Sequence, residues 1–196
     1  AKNHGGSSVS ELVIHGTQLQ VTGTINPWAT MYFQLLYNPE QSFGQGTITD
    51  INRNQLSLRR GYVLLGDLNK FPIYASIGKM AIPFGLTDTV NPFTASTVWH
   101  AVGGLSYGGL AGYQQGGLNL SFMAIQGGAQ FRAANSGDAT PDDIANFSVN
   151  GSYDFRPSSN QLFRIGAGYL KGSAYCNSFP VKHFEDCKGF NNPAWG

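Results

Sequence analysis

The feature that most constrains this chain is the rhythm of its connections. Segments of alternating polarity are joined by stretches that run short, long, short, long through the sequence. The alternation has a period of two residues, which belongs to half-buried strands and not to helices. In "QLQVTGTI" Leu19, Val21, Gly23 and Ile25 take one face, and Gln18, Gln20, Thr22 and Thr24 take the other. In "ATMYFQLLY" Ala29, Met31, Phe33, Leu35 and Tyr37 oppose Thr30, Tyr32, Gln34 and Leu36. The same reading places strands at 17–25, 28–37, 55–66, 71–82, 106–113, 118–126, 146–155 and 161–172. Short connections fall at Asn26-Pro27, 67–70, 114–117 and 156–160, and long polar ones fall between them.

Strict alternation of turn and loop is the pattern of an antiparallel up-and-down transmembrane β-barrel, with short turns at one rim and long loops at the other. Strands of this length suit a tilted crossing of the hydrocarbon core. Closure removes the sheet edges that lipid cannot satisfy. The expected fold is therefore all-β, with about eight strands in this chain, either a small closed barrel or half of a porin of about sixteen strands. A large soluble β-barrel or sandwich is the competing architecture. Composition weighs against it. Charged residues are 12% of the chain, where a soluble domain carries about 25%. No run of apolar residues is long enough for a transmembrane helix. A formal net charge of +1 provides no field for nucleic acid. No leader sequence is visible in "AKNHGGSSVS".

On the membrane reading, Trp28 beside a short turn and Tyr37 at the far end of its strand belong to two interfacial aromatic girdles, with Tyr153, Phe155 and Tyr169. Arg164 alternates onto the polar face of its strand, and Asp154 is the clear inward acid. Arg59 or Arg60, and Lys79, extend the inward charge. A cationic wall lowers the entry barrier for anions. Alternatively these groups form ion pairs that plug a narrow barrel, such as Asp154 with Arg164 across a hairpin. Neither parity of "LSLRRGYVLLG" gives a clean lipid face, because the two arginines take one face each. A bulge near that point, or an arginine near the headgroups, reconciles them.

No catalytic constellation is present, so an enzyme is not expected. His4, His15, His100 and His183 are scattered, and Asp138, Asp142 and Asp143 read as solvated loop charge. No cofactor or metal site is expected. Cys176 and Cys187 fit a local disulfide in an oxidising compartment. Such a bridge would close a loop of about twelve residues and contribute about 3 kcal/mol. Two free thiols are the alternative.

The segment "LRRGYVLLGDLNKFPIYASIGKMAIPFG" reads as an Arg-Arg strand, a short turn, and a "GK…PFG" strand leaving into a loop. Porins of the phosphate-selective type have similar segments. The longer stretch from "ELVIHGTQLQVTGTINPWATMYFQLLYNPE" to "NGSYDFRPSSNQLFRIGAGYL", residues 11–172, resembles the legiobactin-receptor-type siderophore porins, with "RRGY" and "GKMAIPFG" its distinctive parts. The resemblance implies a bacterial outer-membrane barrel of about sixteen strands. It also implies uptake of a ferric carboxylate siderophore without a plug domain. The chain departs from that family in length, since its eight expected strands are half of such a barrel. It also begins and ends in polar, loop-like sequence. The expected partners are outer-membrane lipid and an anionic solute or ferric siderophore, with oligomerisation left open. A small non-transporting barrel that anchors, adheres or joins an envelope assembly is the rival reading.

Overall fold

A computed structural model describes residues 17–38, 55–85, 104–126, 144–172 and 193–196. Among these residues there is no helix, and nine antiparallel strands form one open sheet whose order is the chain order. The strands are β1 (Thr17–Asn26), β2 (Ala29–Asn38), β3 (Gln55–Leu65), β4 (Ile73–Ala81), β5 (Leu105–Gln115), β6 (Leu118–Gln126), β7 (Ile144–Ser158), β8 (Gln161–Leu170) and β9 (Ala194–Trp195). Eight of them match the expected segments, with β7 longer at both ends. The two-residue β9 was not expected: Ala194–Trp195 lies in a segment read as loop. It pairs with β8 beside Tyr169 and Leu170, and Gly168 and Gly196 exchange backbone hydrogen bonds of 2.7 and 3.1 Å.

Local chemistry explains the short turns. Trp28 N–H donates to Asn26 Oδ1 at 2.8 Å, an Asx turn that brings β1 back as β2. Lys70 and Phe71 N–H both donate to the Asp67 carbonyl at 2.9 Å, and Asn69 N–H donates to the Asp67 carboxylate at 3.1 Å. Gly116 and Gly117 sit at φ 58° and 89°. Both central residues of a type I′ hairpin turn require positive φ, which is why two glycines stand there.

The register separates two faces. One apolar row crosses the sheet from Val21 through Phe33 to Gly61, and in parallel from Met31 through Val63 and Ile77 to Gly109. It continues from Ala111 through Phe122 and Val149 to Tyr169. These side chains lie open: Ile77 is 65% exposed, Phe122 48% and Ile165 74%. The opposite face carries Gln20 and Gln34, then Arg60, Tyr62, Tyr74 and Ser76. Ser121, Asn150, Asp154 and Arg164 follow on it.

The buried apolar cluster lies at one end of the polar face and comprises Met80, Ile82, Phe84, Met123, Ile125 and Leu170. Residues beyond β4 build much of it. Ser148 Oγ donates to the Pro83 carbonyl at 3.0 Å, and Gly85 N–H donates to Asn150 Oδ1 at 3.2 Å. Ser148 and Asn150 are polar-face residues of β7. β4 and β7 are three strand spacings of ~4.8 Å apart along the sheet. The contact forms because the chain beyond β4 crosses the polar face to reach β7.

Candidate functional site

The polar face is the candidate site, and its most charged region lies where β2 meets β3. Gln34 opposes Arg60, but its neighbour Leu35 opposes Leu58, so Arg59 is an extra residue in β3. Of the two ways to reconcile the clash of parities in the sequence, this is the bulge. Leu58 keeps the apolar face beside Leu35, and Gly61 keeps it beside Phe33. Two residues stand between them where alternation allows one, and the apolar face is thereby freed of both arginines.

The surroundings of the two arginines are aromatic and amide. Both are half-buried. Each lies within electrostatic range of the other, with Tyr32 in range of Arg59 and Tyr62 in range of Arg60. Tyr32 and Tyr62 face each other in the register with ring centroids 5.2 Å apart. Gln34 is 3% exposed, and its amide donates to Gln18 Oε1 at 2.8 Å. Gln34 Oε1 and Arg60 Nε are shielded from solvent and make no hydrogen bond. Among the described residues no carboxylate pairs with either arginine.

Glycines keep this wall flat. The Tyr62 side chain lies against Gly78 and the Tyr74 ring against Gly112, so both tyrosines lie along the sheet. Tyr74 O–H donates to Asn119 Oδ1 at 2.9 Å, reaching across β5 to β6. Tyr32, Tyr62, Tyr74 and Asn119 were not singled out from sequence, although Tyr32 shares the parity of Gln34.

The other expected wall residues separate into two cases. Asp154 and Arg164 are direct partners across the β7–β8 hairpin, joined by Arg164 Nε to Oδ1 at 2.5 Å and Nη2 to Oδ2 at 2.8 Å. Bidentate pairing of this kind cancels their charges locally. Lys79 is a correction. Its partners are Gly61 and Tyr107, in the row that holds Val63 and Ile77, so it belongs to the apolar face and not to the polar wall. It is 2% exposed, with Nζ 5.2 Å from the centre of the Tyr107 ring. The flexible lysine stem lets the ammonium settle over an aromatic face near the end of β4.

The girdle candidates all fall on the apolar side or at its rim. Trp28, Tyr153 and Phe155 lie towards the short turns, and Tyr37 and Tyr169 towards the long connections. Tyr169 packs between Phe147 and Trp195, at centroid distances of 5.8 and 4.5 Å. Phe147 and Phe155 stand eight residues apart on β7, about 27 Å of strand at ~3.4 Å per residue. Cys176, Cys187, the four histidines, and Asp138, Asp142 and Asp143 lie outside the described residues.

Comparison with known proteins adds one relative. The chain is 25% identical over 188 residues to the "UPF0422 protein" of Coxiella burnetii, a match covering 93% of this chain and 37% of that protein. The chain thus spans little more than a third of its relative's length. No family model and no solved structure matches the chain.

Proposed function

We propose that this chain forms part of the wall of a bacterial outer-membrane porin that passes an anionic solute, with a ferric siderophore as one such solute. The observation that carries this reading is the continuous two-faced sheet. An exposed apolar surface runs from β1 to β8 on one side, and a polar surface with two arginines that pair with no described carboxylate lies on the other. An apolar surface of this extent is too large to leave in water. Lipid is the solvent that suits it. The edges support a wall continued by further strands. β1 is exposed along its whole length, as is β8 from Gln161 to Ala167, and unpaired edges of that kind have no place in a bilayer.

A specific observation favours the second reading, a non-transporting barrel that anchors or docks. Pro83 to Gly85 and the cluster around Met123 cover one end of the polar face, and Asp154 with Arg164 close on each other. Planar-bilayer recording of the full-length protein under a potassium chloride gradient separates the two. A porin gives conductance steps and a reversal potential of chloride-preferring sign. Absence of steps leaves the anchor. Within the porin reading, the Arg59→Gln/Arg60→Gln double variant is expected to move the reversal potential towards cation preference. Arg164→Gln alone is expected to shift it in the same direction by uncovering Asp154. The Arg164→Gln/Asp154→Asn double variant is expected to restore the wild-type value. A double variant no different from Arg164→Gln would show that Asp154 has no effect on the permeating ion.

A further inference from the structure

The polar face changes character along single rows of the register. One row runs from Thr22 and Tyr32 through Gly78 and Gly108 to Ile125 and Asn146. Thr22 is exposed and Tyr32 partly so, whereas Ile125 and Asn146 are buried. The row beside it ends in Leu110, Met123, Ser148 and Leu170, the last three buried. Over β5–β8, at the end towards the long connections, this face is closed to solvent and largely apolar. The wall of an open, water-filled barrel is polar.

Residues 82–85 cover that region. Ile82 N–H still donates to the Gly104 carbonyl at 3.0 Å, beyond the last paired residues of β4 and β5. Pro83 has no N–H to continue the ladder, and the chain leaves the sheet there. Gly85 then turns at φ 58°. The far strands provide a seat for this segment. Ser148 is wholly buried, so its hydroxyl needs a protein partner, and the Pro83 carbonyl is that partner. Asn150 Oδ1 accepts from Gly85 N–H. Two glycines make the room. A Cβ at Gly196 would stand 3.0 Å from the Phe84 ring, and one at Gly168 would stand 3.4 Å from the Gly85 nitrogen. Phe84 is buried in the cluster with Met123, Ile125 and Leu170.

We propose that residues 82–85 are a strap that fills the interior over β5–β8, confines the solute to the side walled by β1–β3, and is held in place by Phe84. This assignment rests on the reading of the polar face as the wall of a solute-filled interior. The side left open carries Arg59 and Arg60, so the uncharged strap acts on selectivity by position: it keeps a passing ion within reach of the arginines.

Two measurements on the full-length protein test it. The first is labelling in detergent micelles by an anionic thiosulfonate reagent, read at the substituted site by peptide mass. Ser148→Cys is expected to label at least about tenfold more slowly than Thr22→Cys. Adding Phe84→Ala is expected to raise the Ser148→Cys rate at least about tenfold and to leave the rate at Gln34→Cys, buried on β2 outside the seat, unchanged. The second is planar-bilayer recording. Phe84→Ala is expected to raise the conductance step and to weaken the chloride preference, because ions then pass farther from the arginines. Labelling of Ser148→Cys as fast as Thr22→Cys, a rate that Phe84→Ala does not raise, or an equal rise at Gln34→Cys would overturn the strap. Conductance and preference both unchanged by Phe84→Ala would overturn its role in the path. Labelling needs no open pore. The expected labelling without conductance keeps the strap and removes the porin. Conductance with fast labelling of Ser148→Cys keeps the porin and removes the strap.

Discussion

Replacing Phe122 by arginine is expected to destabilise the protein in a lipid bilayer by about 2–4 kcal/mol, the cost of a cation at the middle of a lipid-facing strand. Phe122 is the central residue of β6, half exposed on the apolar face between Ala111 and Val149. It also stacks on Phe147 at 6.0 Å. Phe122→Leu removes that stack and keeps the site apolar, so the difference between the two variants isolates the charge. The measurement is denaturant unfolding of the full-length protein folded into lipid vesicles. Thr22→Arg, on the exposed polar side of β1, is expected to stay within about 0.5 kcal/mol of wild type, as surface substitutions in water do. Were the apolar face in contact with water, Phe122→Arg and Phe122→Leu would differ by no more than about 0.5 kcal/mol. That outcome would remove lipid from the account of this surface.

The second large effect is expected from Gly78→Ala, at roughly 3 kcal/mol or more, enough to deplete the folded form. Gly78 has φ 134°, a conformation that side chains rarely adopt. A Cβ there would also strike the Gly61 carbonyl oxygen and the Tyr62 backbone on the neighbouring strand. Neither obstacle is a flexible side-chain end, so relief requires β3 and β4 to separate. Gly109→Ala is the matched control. It is also a strand glycine, yet nothing lies within 4 Å of its missing Cβ. Its expected effect is within about 0.5 kcal/mol. Heat-modifiable mobility on gels, or the denaturation midpoint, reads both variants. Equal behaviour of the two would remove the strained close approach at Gly78.

The strands were legible because alternation is a local property. Each of β1, β2, β6 and β8 shows its two faces within its own ten or so residues. The bulge was legible too, as a contradiction: Arg59 and Arg60 broke the parity of β3, and an inserted residue is what repairs a broken parity. Other features depend on distant partners and leave weaker local traces. Lys79 looks like a wall residue by its charge, although Ile77 and Ala81 at the same parity pointed the other way. Its ammonium lies over Tyr107 on the next strand, a contact that only the register shows. The inward path of Pro83 to Gly85 depends on Ser148 and Asn150, some 65 residues along the chain. β9 is two residues long and exists by pairing with β8. The candidate site shares this property. Gln34 and Arg60 are 26 positions apart by number, and only the register makes them neighbours.

Sheet order equal to chain order also bears on how the molecule is built. Every strand from β1 to β8 pairs with the next one along the chain. Assembly can therefore advance one hairpin at a time, with each addition closing a short stretch of chain. The sixteen residues between β2 and β3 are three doublings of a two-residue turn, an added closure cost of only about 2 kcal/mol. Contacts of this kind keep contact order low despite an all-β fold, and low contact order favours rapid folding.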